Sequence, residues 1–218
     1  MSIKNFLLDC FFPKKCYGCQ ASDTWLCQKC FRSLQAYKGE VPRALNNNHD
    51  LIIAGEYKDV LLHDLIIAFK FDLNQELVIP LFAFLKNKID QKLVLNMLTK
   101  NDWQNVLVIP IPLHKKRQKF RGFNQSKLLA SEISLCYGWP LNLDLVKNKP
   151  SAIQADLNEE ARLNNQTGAF TWQGESLEGH DVILVDDIIT SGATINEAEI
   201  ILMQAGARKV IKIAVAKG

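Results

Sequence analysis

The chain has 218 residues, of which 48% are hydrophobic and 22% are charged, and its formal net charge is +3. This is the balance of an ordinary soluble protein, long enough to bury the core of one medium α/β domain with a small appendage. The mild charge excludes a protein-wide basic field for nucleic acid, although a local patch remains open, and no apolar run approaches the roughly 20 residues that span a bilayer.

The first forty residues hold five of the six cysteines. The segment before them is apolar, but Asp9 interrupts it and no small-residue cleavage site follows, so we expect a cytoplasmic chain without a signal peptide. Its thiols are then reduced, and clustered cysteines indicate metal binding or catalysis before disulfides.

Two CxxC pairs lie seven residues apart and supply four thiolates: Cys16, Cys19, Cys27 and Cys30. Four thiolates close a tetrahedral sphere, which predicts a structural zinc site, although the ligand type alone also allows an iron–sulfur cluster. Cys10 is surplus to this set. Cys136 follows Leu129 and Ile133 at helical spacing, so we expect it to pack in the core. A polar stretch at 46–50 predicts a boundary between a zinc-binding domain, 1–45, and a second domain, 46–218.

The second domain alternates strand-like and helix-like segments. We predict strands at 51–57, 106–111, 141–146, 169–172, 182–185 and 210–216, and helices at 60–71, 76–97, 124–137, 157–165 and 193–205. This alternation, with apolar strands, favours an α/β fold with a mainly parallel sheet covered on both faces.

A basic loop is expected at 114–124, after the second strand. Its cations are Lys115, Lys116, Arg117, Lys119 and Arg121, and Phe120 and Phe123 lie among them. Cations interleaved with aromatic rings are typical of a track for single-stranded nucleic acid, and they would equally hold a pyrophosphate. Most charge runs, however, are only solvated surface.

The segment 182–194 reads VILVDDIITSGAT and carries the strongest functional signal. A buried strand delivers Asp186 and Asp187 to the carboxyl edge of a parallel sheet, where we expect both carboxylates to face a solvent-filled cleft. The small-residue turn that follows opens a helix, and its N–H groups suit a phosphate. The turn residues are Thr190, Ser191, Gly192, Ala193 and Thr194.

An acidic pair beside a phosphate turn is the pattern expected for a ribose 5-phosphate. The carboxylates would accept hydrogen bonds from two ribose hydroxyls or lie near Mg²⁺. The alternative is a buried strand that merely ends in a polar turn. The run ILVDD alone would also pass for a Walker B strand, but that interpretation needs a G-x-x-x-x-G-K-[ST] partner, and the chain has none. The segment closely resembles the signature of type I phosphoribosyltransferases, which bind phosphoribosyl pyrophosphate with Mg²⁺.

Taken together, these motifs resemble those of the ComF family of bacterial competence-associated proteins. The double CxxC, the Lys70 element AFKF, the pair PIPL and RGFNQ at 110–125, and the segment QADLNEEARLNN at 154–165 all match family patterns. One departure is KNKP at 147–150, where an Arg-rich stretch is common, so no role is carried over there.

The resemblance implies a phosphoribosyltransferase-type fold with a small zinc domain, and a role in handling incoming single-stranded DNA during natural transformation. Competence-machinery proteins would then be its partners. Arg117, Arg121 and Lys70 are candidates for holding pyrophosphate. An active transferase that joins a nitrogen base to ribose 5-phosphate stays open as the alternative, because no segment identifies a base-selecting hood or a general acid or base.

Overall fold

The computed structural model describes residues 13–34, 36, 51–72, 74–99, 105–148 and 168–218. The strands are β1 (Leu51–Glu56), β2 (Leu107–Pro110), β3 (Leu145–Lys147), β4 (Phe170–Trp172), β5 (Asp181–Ile189) and β6 (Lys209–Lys217). The helices are α1 (Gln28–Ser33), α2 (Val60–Phe71), α3 (Val78–Thr99), α4 (Lys115–Arg121), α5 (Gln125–Tyr137) and α6 (Ala193–Gln204), with one 3₁₀ turn at Gln75–Leu77.

Four of the strands form a parallel sheet in the order β1-β6-β5-β2. The mainly parallel α/β fold predicted from the sequence is therefore confirmed. β5 lies in the interior of the sheet, between β6 and β2, so its carboxyl end opens at the centre of one sheet edge. The remaining pair, β3 and β4, forms a separate antiparallel ladder in which Lys147 lies opposite Phe170.

Each face of the sheet has its own core. On β5, Ile183 and Val185 join the cluster that includes α2, α3 and α5, while Val182 and Leu184 join the cluster that includes α6 and β4. This alternation follows from the two-residue period of a strand. Because both faces are covered, the interior strands are almost wholly apolar until the sheet edge, where polar residues begin.

The amino-terminal cysteine segment packs against the α/β part. Trp25 donates a hydrogen bond from Nε1 to Glu76 at 2.6 Å, and Lys14 pairs with the same carboxylate at 2.5 Å. The Phe31 ring meets the Phe84 ring of α3 edge-on, with centroids 6.4 Å apart. The predicted boundary near residue 45 falls outside the described residues, so the division into 1–45 and 46–218 stays a prediction.

The structure differs from the sequence-based expectations in three elements. The basic segment is not a loop, because 115–121 forms α4. β5 continues past Val185 through Ile189, because backbone pairing with β6 extends to Ile189 and Lys217, so the acidic pair lies within the strand. The strand expected at 141–146 begins only at Leu145, and Leu141 makes a single bridge to Val108.

The expected burial of Cys136 is wrong. Leu129 and Ile133 are fully buried, but Cys136 is exposed, since the buried face of α5 ends one turn before the helix does. Cys10, the expected helix at 157–165 and the motif residues Gln154, Leu157, Arg162 and Asn165 lie outside the described residues.

Candidate functional site

The turn at 190–194 connects β5 to α6 at the carboxyl edge of the sheet. Gly192 is the N-cap residue of α6, with φ +84°, a backbone conformation that glycine adopts at little cost. Ser191 Oγ accepts a hydrogen bond from the Ala193 N–H at 3.4 Å. With Asp186 and the end of β5, the turn lines a small cavity of about 60 Å³. A helix N-terminus of this kind, presenting N–H groups beside hydroxyls, suits an anionic oxygen group.

The acidic pair lies within β5 and is separated from this turn by Ile188 and Ile189. Asp186 Oδ1 accepts hydrogen bonds from Ser126 Oγ and from the Asp187 N–H, both at 2.9 Å. Asp187 forms an ion pair with Lys70 of α2 at 3.0 Å, and the two side chains are only 12% and 14% exposed. The carboxylates are thus less open to solvent than we expected, because α2 and α5 cover them.

Burial, and then the neighbouring Asp187 charge, raise the pKa of Asp186 to about 7. Lys70 and the hydrogen bond from Ser126 act in the opposite direction but do not offset the loss of hydration. A carboxyl group with a pKa raised to near neutral pH at a sheet edge is typical of functional sites, because such a group can change its charge when a ligand binds.

The short helix α4 contributes cations to the same region. Arg117 and Arg121 are four residues apart and therefore share one face of the helix. Burial lowers the pKa of Arg121, with Asp187 opposing this and Arg117 adding to it, so both charges act on that guanidinium. On other faces of α4, Lys119 is exposed and Phe120 is 82% exposed. The side chains of Lys115 and Lys116 are outside the described part of the chain.

The RGFNQ segment connects α4 to α5, and Asn124 within it stabilises the local backbone through hydrogen bonds. Asn124 caps α5, since its Oδ1 accepts from the Ser126 N–H at 3.0 Å, and its Nδ2 donates to the Ile111 carbonyl at 3.0 Å. Gln125 is 1% exposed, and its Nε2 finds no hydrogen-bond partner among the described residues. An unpaired buried donor costs about 1–3 kcal/mol, which a ligand oxygen within reach would relieve. The sequence motif contained Gln125, but nothing in its pattern singled it out.

Sequence reasoning also missed Lys147, at the end of β3. Its ammonium lies 5.0 Å from the centroid of the Phe170 ring. Burial, and then repulsion by Arg117, lower the pKa of Lys147, while Asp186 and Glu197 act to raise it. Lys147 therefore belongs to the charge cluster around the acidic pair. No sequence signal could place it there, because the approach of the β3–β4 ladder to α4 is purely tertiary.

The cysteines of the two CxxC pairs converge as predicted. Their four sulfurs all lie within 4.8 Å of one another, and the Cys19 and Cys27 sulfurs are 3.6 Å apart. A tetrahedral zinc site with Zn–S near 2.3 Å has S···S separations of roughly 3.8 Å, so the cluster is close to the geometry that zinc requires. Gly18 allows this approach, because a Cβ there would lie 2.7 Å from the Cys30 sulfur. This four-cysteine cluster could hold a metal such as zinc.

Comparison with known proteins gives matches to part of the chain. Residues 144–217 match the phosphoribosyl transferase domain family. The chain is 35% identical over 106 residues to Competence protein F of Haemophilus influenzae, covering 47% of this chain and 46% of that one. It is 34% identical over 103 residues to Competence protein ComFC of Bacillus subtilis, covering 47% and 40%.

A third relative is the DNA utilization protein YhgH of Escherichia coli O157:H7, at 32% identity over 105 residues, with 47% and 45% covered. The chain thus spans less than half the length of these curated relatives. A purine phosphoribosyltransferase from Pyrococcus horikoshii superposes over 60% of this chain and 82% of its own, with 14% identity and a TM-score of 0.34. A score at that level does not establish a common fold by itself.

The parallel sheet, the acidic pair before a glycine turn and the family match define a protein with a phosphoribosyltransferase-type domain. The amino-terminal four-cysteine cluster and the similarity to the competence and DNA utilization proteins agree with the resemblance to the ComF family that the motifs indicated. Among the helices of the described residues, none combines the length and apolar character needed to cross a bilayer.

Proposed function

We propose that the carboxyl edge of the sheet binds phosphoribosyl pyrophosphate, or the phosphate end of a nucleotide, together with Mg²⁺. The observation that carries this proposal is the acidic pair of β5 lying two residues before a turn whose glycine, at φ +84°, opens a helix. The cations Lys70, Arg117 and Arg121 around that pair support it, since a pyrophosphate needs positive partners that a sugar alone does not.

Each part of the proposed ligand is assigned to a group of residues in the site. The turn, with Thr190, Ser191, Gly192, Ala193 and Thr194, binds the 5-phosphate through N–H groups and hydroxyls. Asp186 and Asp187 would accept hydrogen bonds from the ribose hydroxyls, and carboxylate and phosphate oxygens would supply the ligands that Mg²⁺ prefers. Arg117, Arg121 and Lys70 hold the pyrophosphate, for which Lys70 exchanges its partner Asp187 for the ligand.

A pair of glycine variants tests this assignment. Gly192→Ala places a Cβ in a left-handed turn, and the strained turn no longer presents its N–H groups to phosphate, so we expect affinity for phosphoribosyl pyrophosphate with Mg²⁺ to fall at least about tenfold in calorimetry. Gly138→Ala is the matched control, because Gly138 also has positive φ (+70°), at the far end of α5, with open space around it. Equal affinity in both variants would refute the phosphate turn.

We propose further that the protein is a competence accessory protein that handles incoming single-stranded DNA. The names of its relatives support a competence role, and the outward side of α4 supports the DNA contact, because exposed Lys119 lies beside a Phe120 ring that is 82% exposed. Bases stack on exposed rings, while cations bind the backbone. On this proposal Lys115, Lys116, Arg117 and Lys119 contact phosphates, and competence-machinery proteins are the partners.

Salt dependence of DNA binding tests this second proposal. For single strands, the slope of log affinity against log salt is roughly −0.7 per phosphate contact, so replacing those four cations with Ala should flatten the slope by about two to three units in fluorescence anisotropy. Phe120→Ala should cost about 1–3 kcal/mol with little change of slope, because stacking releases no ions. Lys88→Ala in α3 is the control. A quadruple variant with unchanged affinity and slope would contradict the proposal.

The four-cysteine cluster, on our proposal, holds one structural zinc ion through Cys16, Cys19, Cys27 and Cys30. Burial raises the pKa of Cys16, but N–H groups of Cys27, Cys19 and Gly18 outweigh it and lower the pKa to about 6, which favours the thiolate that binds metal. Elemental analysis should find one zinc per chain. Gly18→Ala should lower the zinc content, because its Cβ displaces the Cys30 sulfur, whereas Gly179→Ala, with open space at Gly179, should not. Full-length protein without zinc would contradict this.

An active phosphoribosyltransferase is the second candidate function. The pKa of Asp186 near 7 favours it, because a carboxyl group titrating near neutral pH can transfer a proton to or from an attacking base. Release of pyrophosphate from phosphoribosyl pyrophosphate in the presence of nitrogen bases, measured against the Asp186→Asn variant, tests this activity. Binding without release would restrict the site to ligand recognition.

A further inference from the structure

The protein itself occupies one oxygen of the Asp186 carboxylate. Asp186 Oδ1 accepts hydrogen bonds from Ser126 Oγ and from the Asp187 N–H, both at 2.9 Å. The other oxygen, Oδ2, has no protein donor within the described part of the chain. Because Asp186 also lines the small cavity at the phosphate turn, Oδ2 is the oxygen that remains for a ligand.

A closed ring of hydrogen bonds holds Ser126 against Asp186. The Ile111 N–H donates to the Val185 carbonyl at 2.8 Å, which joins the residue after β2 to β5. Asn124 Nδ2 donates to the Ile111 carbonyl at 3.0 Å, and Asn124 Oδ1 accepts from the Ser126 N–H at 3.0 Å. Ser126 Oγ donates to Asp186, the residue after Val185, which closes the ring. Both partners of the Ser126–Asp186 hydrogen bond are thus fixed by the same set of contacts.

The Ser126 hydroxyl is not needed to cap its own helix. Asn124 is the N-cap residue of α5 and supplies the capping oxygen, whereas Ser126 lies in the first turn. Ser126 is only 3% exposed, so its hydroxyl needs a protein partner, and that partner is the carboxylate. The amino end of α5 adds the positive end of a helix dipole on the same side of Asp186.

We propose that Ser126 is a positioning residue of the ligand site, which holds Asp186 Oδ1 so that Oδ2 accepts a hydroxyl group of the bound sugar phosphate. The inference rests on the proposed function, because it concerns the same ligand. It gives the RGFNQ segment a second role besides its arginine, since the hydrogen bonds of Asn124 place the serine that orients the carboxylate.

The hydrogen bond acts on the carboxylate in two ways. Rotation of the carboxylate of Asp186 would exchange Oδ1 and Oδ2, and the Ser126 hydroxyl opposes this rotation because its hydrogen bond would be broken. The same hydroxyl favours the ionised carboxylate, which is the better acceptor for a sugar hydroxyl. An orientation set before binding saves the ligand the cost of ordering its partner.

The charges around Asp186 come from three elements. Burial and the Asp187 charge raise the pKa of Asp186 to about 7, while Lys70 on α2, the serine hydroxyl and the Asp187 N–H act to lower it. Lys147, at the end of β3, carries a further charge on which Asp186 acts. The neighbour of Asp186 on β6 is Ala214, which is neutral. Loss of the serine hydroxyl should therefore raise the pKa of Asp186 further.

Calorimetry with ribose 5-phosphate on the full chain is the first test. Ser126→Ala should lower the affinity about tenfold, because the carboxylate loses its fixed orientation. Ser131→Ala is the matched control, since Ser131 also lies in α5 and its hydroxyl donates to the Lys127 carbonyl at 2.9 Å, outside the site. A melting curve on each variant confirms folding. An unchanged affinity in Ser126→Ala, or equal losses in the two variants, would overturn the inference.

The pKa of Asp186 separates positioning from general support of the fold. Carbon-13 NMR of the carboxyl groups, recorded across pH on the free protein, should show this pKa about one unit higher in Ser126→Ala than in the wild type, because a donor to the ionised form is lost. Ser131→Ala should leave it unchanged. A weaker affinity without a shift of that pKa would mean that Ser126 only supports the backbone, and would contradict the proposal.

A comparison of two sugars assigns the hydroxyl group that Asp186 accepts. Ribose 5-phosphate and 2-deoxyribose 5-phosphate, the sugar phosphate of DNA, are titrated into wild type and Ser126→Ala. A loss for ribose alone assigns Oδ2 to the 2-hydroxyl, and a loss for both assigns it to a hydroxyl that the two sugars share. If the wild type binds neither sugar phosphate, the proposed function fails together with this inference. If it binds them and ignores Ser126, only this inference fails.

Discussion

The two ends of β5 carry carboxylates in opposite circumstances. At the amino end, Asp181 is fully buried and held by Arg208 through two hydrogen bonds, from Nε at 2.7 Å and from Nη2 at 2.5 Å. At the carboxyl end, Asp186 and Asp187 repel each other, share the charge of Lys70 and lie beside a turn that can take an anion. One strand thus carries a carboxylate with a complete set of charged partners and an acidic pair that shares a single cation. The completeness of charge pairing, rather than burial, distinguishes the structural carboxylate from the pair at the proposed ligand site.

Breaking the fully paired end should have the largest effect on stability. Arg208→Ala leaves Asp181 buried without its fork of donors, which should lower the free energy of unfolding by about 3 kcal/mol, the low end for a broken buried pair, since Arg208 is 39% exposed. Denaturant melts measure this. Ligand affinity of the folded fraction should not change. A loss of affinity larger than the loss of stability would contradict a purely structural role.

At the carboxyl end of β5, removing one partner of an ion pair should lower the free energy of unfolding by a smaller amount. Asp187→Asn removes the partner of Lys70 but also relieves repulsion of Asp186, so we expect less than half of the stability loss of Arg208→Ala. Phosphoribosyl pyrophosphate affinity should nevertheless fall at least about tenfold, because the ribose loses a charged acceptor. If Asp187→Asn destabilises the chain as much as Arg208→Ala, the carboxylates at both ends of β5 have a structural role, and the contrast between them is wrong.

A further prediction concerns the pH dependence of stability. A carboxyl group whose pKa rises from 3.8 in the unfolded chain to about 7 in the folded one binds its proton more tightly when folded. Stability then decreases as pH rises from about 4 to about 7 and levels off above that. Asp186→Asn should remove this slope. Melting curves of the variant and wild type that keep the same pH dependence would show that Asp186 titrates as an ordinary carboxyl group.

Much of this site was predictable from the sequence because its signals are local. The apolar run of β5, the acidic pair and Gly192 lie close together in the chain, and strand and turn chemistry follow from such neighbours. The same holds for the paired CxxC motifs, whose spacing alone indicates a four-sulfur cluster.

The rest depends on contacts between distant segments. Lys70 meets Asp187 from a remote part of the chain, and Lys147 reaches the site only because β3 pairs with β4. The helix α4 was missed because a run of Lys and Arg resembles a solvated loop, although both residues form helices well. That helix matters for the proposed binding roles, since it turns Arg117 and Arg121 to one face and leaves Phe120 on another.

The most direct test is a calorimetric titration of phosphoribosyl pyrophosphate with Mg²⁺ into three forms of the protein: wild type, Asp181→Asn and the double variant Asp186→Asn with Asp187→Asn. The altered positions lie on β5, towards its two ends. We expect the wild type and Asp181→Asn to bind with the same affinity although Asp181→Asn is less stable, and the double variant to lose binding at least about tenfold while remaining folded. A double variant that binds as the wild type does would contradict the central claim that the carboxyl end of β5 is the ligand site.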